Sequence, residues 1–124
     1  MPVEILWEER GVRRRYSGVV TAAEFLESIV TVQRDPRFDG LVYSILDTLD
    51  VARTDVSGID IKSVAAHSIG ALNSNSSIKV AVIASDPAVL AMVRIFVSPP
   101  YTSYPADVLP DREAAKQWVR SVCG

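Results

Sequence analysis

The sequence predicts an α/β domain, a mixed sheet of about five strands packed with about four helices in the order ββαβαβα(β)α. Three observations predict it. Leu41–Leu46 and Ile78–Ala84 are short, nearly all-apolar runs rich in β-type residues, the pattern of strands covered on both faces. Stretches of helical period stand between them, which implies right-handed crossovers and a largely parallel sheet. The opening segment alternates apolar and polar residues on either side of Arg10-Gly11 and reads as an antiparallel hairpin.

The elements follow in order. Val3, Ile5 and Trp7 share one face of the first strand, and Val12–Val19 is its partner across the turn. Thr21-Ala22-Ala23-Glu24 is a capping box: the Thr21 hydroxyl serves the Glu24 amide, and the Glu24 carboxylate returns to the Thr21 amide. The helix it opens carries Ala22, Phe25, Leu26, Ile29 and Val30 on one face. Glu24, Glu27, Ser28, Thr31 and Arg34 are expected to point away, and Asp35-Pro36 ends it. After the strand Leu41–Leu46, residues from Asp47 to Asp55 read as a polar loop. Ser57-Gly58-Ile59-Asp60 is a second cap, opening a helix with Ile61, Val64, Ala65, Ser68 and Leu72 inward, ended by Asn73-Ser74-Asn75. Asp86-Pro87 supplies an N-cap and a first-position proline for the next helix, which Ser98-Pro99-Pro100 closes. A short strand near Tyr104–Leu109 contains Pro105 and so belongs at a sheet edge. Asp111 caps a last helix whose inner face is Ala114, Ala115, Trp118, Val119 and Val122.

Composition narrows the function classes. With 124 residues and 48% hydrophobic content, residues 1–124 are read as a single domain able to bury a core without disulfide or metal. The net charge of −2 offers no general attraction to nucleic acid or anionic lipid. The apolar run Pro87–Val97, with Arg94 inside it, is too short to span a bilayer. Glu4, Glu8 and Glu9 occupy the region where a signal peptide would be basic, so a cytoplasmic location is expected.

Residues that could carry chemistry each have a structural reading. His67, the one histidine, falls mid-helix off the apolar face, and Cys123 has no cation cluster beside it. Asp47, Asp50, Asp55 and Asp60 cluster near the C-terminal end of a buried strand, where ligands of parallel sheets sit. Their spacing matches no calcium loop, and a solvated loop rich in helix caps accounts for them. No phosphate loop, dinucleotide fingerprint or nucleophile elbow occurs. No catalytic residue, cofactor or metal site is therefore assigned. Arg13-Arg14-Arg15 is the one dense basic run. With Glu8 and Glu9 across the hairpin, it is expected to form a charged sheet edge that resists aggregation.

The helix Pro87–Val97 has Arg94 as its only charge, where a surface helix should show a polar outer face. That excess of apolar surface has two readings, a helix tucked under the 99–105 loop or burial against a second copy; the second is preferred, with Leu90, Val93, Ile95, Phe96, Val97 and Tyr101 as candidate interface residues.

The hairpin with Tyr16-Ser17-Gly18-Val19-Val20-Thr21 leading into the first helix, the strand ending Leu46-Asp47, and the closing Asp111-Arg112-Glu113-Ala114-Ala115-Lys116-Gln117-Trp118-Val119 together resemble the SpoIIAA-like family, of STAS type or STAS/SEC14-like. The resemblance covers nearly the whole chain and rests on fold pattern rather than chemistry. It implies a regulatory module that works by binding partners. In anti-sigma-factor antagonists of this type, a serine in an Asp-Ser-Ser-Gly turn is phosphorylated. This chain reads Asp55-Val56-Ser57-Gly58, with valine where the switch serine stands, which argues against a phospho-switch. The resulting expectation is a non-catalytic, self-associating interaction module, a homodimer or partner-binding domain, with Asp47, Asp55, Ser57 and Gly58 as a candidate regulatory or ligand loop. The alternative is a binder of a small apolar or anionic ligand.

Overall fold

The computed structural model describes residues 3–55, 75, 77–96 and 106–123. Among the described residues, five strands form one sheet in the order β1-β2-β3-β4-β5. They are β1 (Val3–Trp7), β2 (Gly11–Thr21), β3 (Tyr43–Asp55), β4 (Lys79–Ile83) and β5 (Ala106–Leu109). Only β1–β2 is antiparallel; the other three pairings are parallel. Among the described residues there are three α-helices, α1 (Ala22–Arg34), α2 (Pro87–Phe96) and α3 (Arg112–Cys123), plus a 3-10 turn at Pro36–Gly40. The expected helix after Ser57 lies outside the described residues.

Side chains in register share a face, so the pairings sort the sheet into two sides. One side carries Ile5, Trp7, Val12, Arg14, Tyr16, Ser44, Leu46, Val82 and Val108. α1 and α2 pack here. Val12 joins Val32, Phe38, Leu41 and Ile78, while Val82 and Ala84 join Val89 and Val93 of α2. The other side carries Tyr43, Ile45, Asp47, Ile83 and Leu109, and α3 lays Ala115 and the half-buried Trp118, Val119 and Val122 on it. Val12, Ile45 and Ile83 are wholly buried, each stabilising the fold by about 1.5–3 kcal/mol relative to exposure.

The caps expected at Thr21, Asp86 and Asp111 form, while the one expected at Ser57 lies outside the described residues. The Glu24 amide donates to Thr21 Oγ1 at 3.2 Å while the Thr21 amide donates to Glu24 Oε1 at 3.0 Å. Asp86 accepts from the amides of Ala88 and Val89, and Asp111 from the amide of Ala114 at 2.8 Å. β5 stands at the sheet edge, as Pro105 predicts.

Three expectations are corrected. Asp47–Asp55 is not a loop: β3 continues to Asp55 because β2 is itself long enough to pair with it, Thr21 against Asp55. Two register shifts, where β3 advances one residue more than β2, absorb the polar composition of this stretch, and Gly18 takes φ +64° between them. Ser28 does not face solvent. It is 3% exposed and donates to the Phe25 carbonyl at 2.7 Å, so the Tyr16 phenol, also at 2.7 Å, donates to it. Finally, Arg13–Arg15 is not an edge, since β2 lies between β1 and β3. Arg13 does meet Glu8, at 3.8 Å, but Arg14 is buried.

Candidate functional site

β4 and its pairing with β3 end at Ile83, and the carboxyl ends of parallel strands are where α/β sheets hold ligands. Asp47 stands there, opposite Ile83 and fully buried. Its Oδ2 accepts from Arg112 Nε at 2.7 Å; its Oδ1 accepts from the Leu49 amide at 3.1 Å and from Arg112 Nη2 at 3.4 Å. Arg15 Nε, in register on β2, approaches to 3.9 Å. Arg112 Nη2 also donates to Asp50 Oδ2 at 3.0 Å. Two aspartates and two arginines thus form one neutral cluster.

The local sequence explains the arrangement. Arg112 follows the cap Asp111 and sits in the first turn of α3, where a cation opposes the positive helix end. The buried carboxylate supplies the compensation, and the hydrogen bond to Asp47, ahead of any other influence, holds the Arg112 guanidinium above its ordinary pKa. The Leu49 amide reaches Asp47 where the β3 backbone shifts register. Thr48 closes the adjacent strand end by donating to the Ile83 carbonyl at 2.6 Å.

Chemically, the cluster is closed. Both Asp47 oxygens already accept from protein donors, so the carboxylate has little capacity left to bind a metal or take a proton from a substrate. Among the described residues, no three His, Cys, Asp or Glu side chains come together as a metal site. Nor is any described helix long and apolar enough to cross a membrane.

A second polar network lies on the same face. Tyr43 donates to Glu8 Oε1 at 2.5 Å and stacks edge-on against Trp118, ring centroids 6.2 Å apart. Burial, then the Glu8 carboxylate, pushes the Tyr43 phenol well above its usual range. Trp118 Nε1 in turn donates to Asp107 at 2.8 Å.

Of the candidate loop residues, Asp47 is in the cluster and Asp55 is exposed at the end of β3; Ser57 and Gly58 lie outside the described residues, as does His67. Of the candidate interface residues, Val93 is buried and Leu90 half-buried, both packed in this chain's own core beside Val82. Ile95 and Phe96 close α2, while Val97 and Tyr101 lie outside the described residues. Ala88, Ala91 and Arg94 form the exposed side of α2. Sequence reasoning missed Arg15 and Arg112 as partners of Asp47, Arg112 being 65 positions away. A cation in a helix's first turn was the available signal.

This order of strands, one antiparallel edge and four parallel neighbours with helices on both faces, is the SpoIIAA-like fold. The anti-sigma factor antagonist SpoIIAA in its unphosphorylated form superposes with a TM-score of 0.60 at 13% identity, over 95% of this chain and 97% of that one. The phosphorylated form of SpoIIAA, the Bacillus cell fate determinant, gives 0.59 at 11% identity over 94% and 98%. A DUF3478-family protein with a SpoIIAA-like fold from Shewanella loihica PV-4 gives 0.54 at 13% identity over 94% and 90%. At these identities the likeness is one of fold. No protein-family model matches the sequence, and no curated protein matches it.

Proposed function

We propose that the chain is a non-catalytic, cytoplasmic interaction module that acts by associating with a second copy of itself or with a protein partner. The observation that carries this reading is the use made of Asp47. The carboxylate best placed for chemistry, beside the end of β4, is hydrogen-bonded by Arg112 and the Leu49 amide, with Arg15 at 3.9 Å as a further counter-charge. The whole-length likeness to an anti-sigma factor antagonist supports the same reading. The association surface is the C-terminal end of α2 with the segment after it, Ile95, Phe96, Val97 and Tyr101, because Val93 and Leu90 already serve the chain's own core. Asp55, Ser57 and Gly58 are the second proposed surface, following β3.

Co-expression of a tagged and an untagged copy tests it. The untagged copy should be retained on the affinity matrix, and Phe96→Asp should release it. If neither the untagged copy nor any other protein is retained in stoichiometric amount, the reading fails.

A further inference from the structure

Arg14 is a buried cation with no counter-charge among the described residues. It stands on the helix-covered face of β2, 8% exposed, in register with Ile5 and Leu46. Its Nε and Nη1 hydrogens find no acceptor. Apolar clusters stand on both sides, one around Val12 and Val32, the other around Val82 and Val89. Tyr16, the next residue on that face, has committed its phenol to Ser28. Diagonally across on β3, on the same face, Ser44 is 4% exposed and its hydroxyl also lacks a partner.

The neighbouring arginine marks the contrast. Arg15, one residue on and facing the other side, also has a buried Nε without a hydrogen-bond acceptor, but it has a counter-charge, Asp47, at 3.9 Å. A buried charge normally acquires a partner, and a guanidinium cannot escape the cost by losing its proton. What satisfies such donors is an oxyanion, for which the planar guanidinium is the favoured protein group and a hydroxyl a natural second donor.

We propose that Arg14 and Ser44 form an internal oxyanion site beneath the helical layer, binding a phosphate or carboxylate group. The site faces away from the Asp47 cluster and does not depend on the association proposed above.

Thermal unfolding of the full chain tests it, with inorganic phosphate and octanoate each titrated against chloride at matched ionic strength. Ligand that binds only the folded state raises the midpoint in step with its concentration over its Kd. The wild type should show a rise of a few degrees with at least one anion. Arg14→Met should abolish that rise, and Ser44→Ala should weaken the apparent affinity by about tenfold. A response to phosphate alone identifies a free ion, and a response to octanoate alone a carboxylate on an apolar body; either supports the site. Without added anion, Arg14→Met should unfold no earlier than the wild type, because it removes a stranded charge. An equal rise in Arg14→Met, or no rise beyond chloride with either anion, overturns the proposal and leaves buried water as the occupant. Should Arg14→Met fail to fold, NMR linewidths of phosphate and carboxyl-labelled octanoate with wild type and Ser44→Ala decide it: absence of Ser44-dependent broadening overturns it.

Discussion

Arg112 Nε donates to Asp47 Oδ2 at 2.7 Å, tying the first turn of α3 to β3 beside the end of β4. Asp47 is fully buried, whereas the Arg112 side chain keeps 38% of its surface exposed. The pair is therefore unequal: the carboxylate depends on the arginine more than the reverse.

Removing Arg112 should accordingly cost more than its exposure suggests. Arg112→Met leaves Asp47 with the Leu49 amide and the more distant Arg15, and we expect a loss of about 2–4 kcal/mol in chemical denaturation, by the rule for stripping a buried charge of its partner. The double variant Arg112→Met/Asp47→Leu should recover part of that loss. A single variant as stable as wild type would show that the cluster is not held as described.

Gly11 tests packing at the hairpin. A Cβ there would run into the Tyr43 ring, and the ring is fixed by Glu8 and Trp118. Gly11→Ala should cost about 1–3 kcal/mol by overpacking, and Tyr43→Leu in the same chain should cost less than the sum of the two. Gly18 offers the control: it has open space but a left-handed φ of +64°. Gly18→Val should cost about 1–2 kcal/mol from backbone strain alone, with Gly18→Asn better tolerated. Denaturation midpoints of Gly11→Ala, Tyr43→Leu, their double variant, Gly18→Val and Gly18→Asn check both statements.

Asn75 joins segments distant in sequence by donating to the carbonyls of Phe38 at 2.9 Å and Leu41 at 2.8 Å. It is 7% exposed. Asn75→Ala should cost about 1–3 kcal/mol because the Leu41 carbonyl loses its side-chain donor and the Phe38 carbonyl keeps only the Leu41 amide. Amide hydrogen exchange should quicken around the 3-10 turn Pro36–Gly40 before it does in β4.

Asp35 reports on pH. Arg37 meets its carboxylate through Nε and Nη2, at 2.9 and 2.7 Å, and lies over the Trp7 ring. The side-chain hydrogen bond from Arg37, then its amide, lowers the Asp35 pKa from 3.8 to about 2. Because the folded value is depressed, whatever stability the contact contributes is present above the unfolded value and is lost as pH falls toward about 2. A carboxyl NMR titration of Asp35 should show that midpoint, and Arg37→Gln should return it toward 3.8.

What could be read from the sequence was local. Thr21, Asp86 and Asp111 cap helices through bonds to residues two or three positions on, so their chemistry is written in adjacent letters. Ser28 and Arg14 were misjudged because polarity alone places a residue outside. Ser28 is inside because a phenol from another element completes its bonding, and Arg14 because β1 and β3 flank its strand. The extension of β3 to Asp55 was hidden for a similar reason: its polar residues become a strand only because β2 continues alongside. Asp47 was singled out by position, but its role depended on Arg15 and Arg112, which only the folded chain brings together.

Sedimentation velocity over a range of concentrations, on wild type and Phe96→Asp, tests the central claim of an association module most directly. A dimer that Phe96→Asp converts to a folded monomer, with an unchanged circular dichroism spectrum, is the predicted result. A wild type that stays strictly monomeric at every concentration, and brings no partner with it from its own cells, would contradict it.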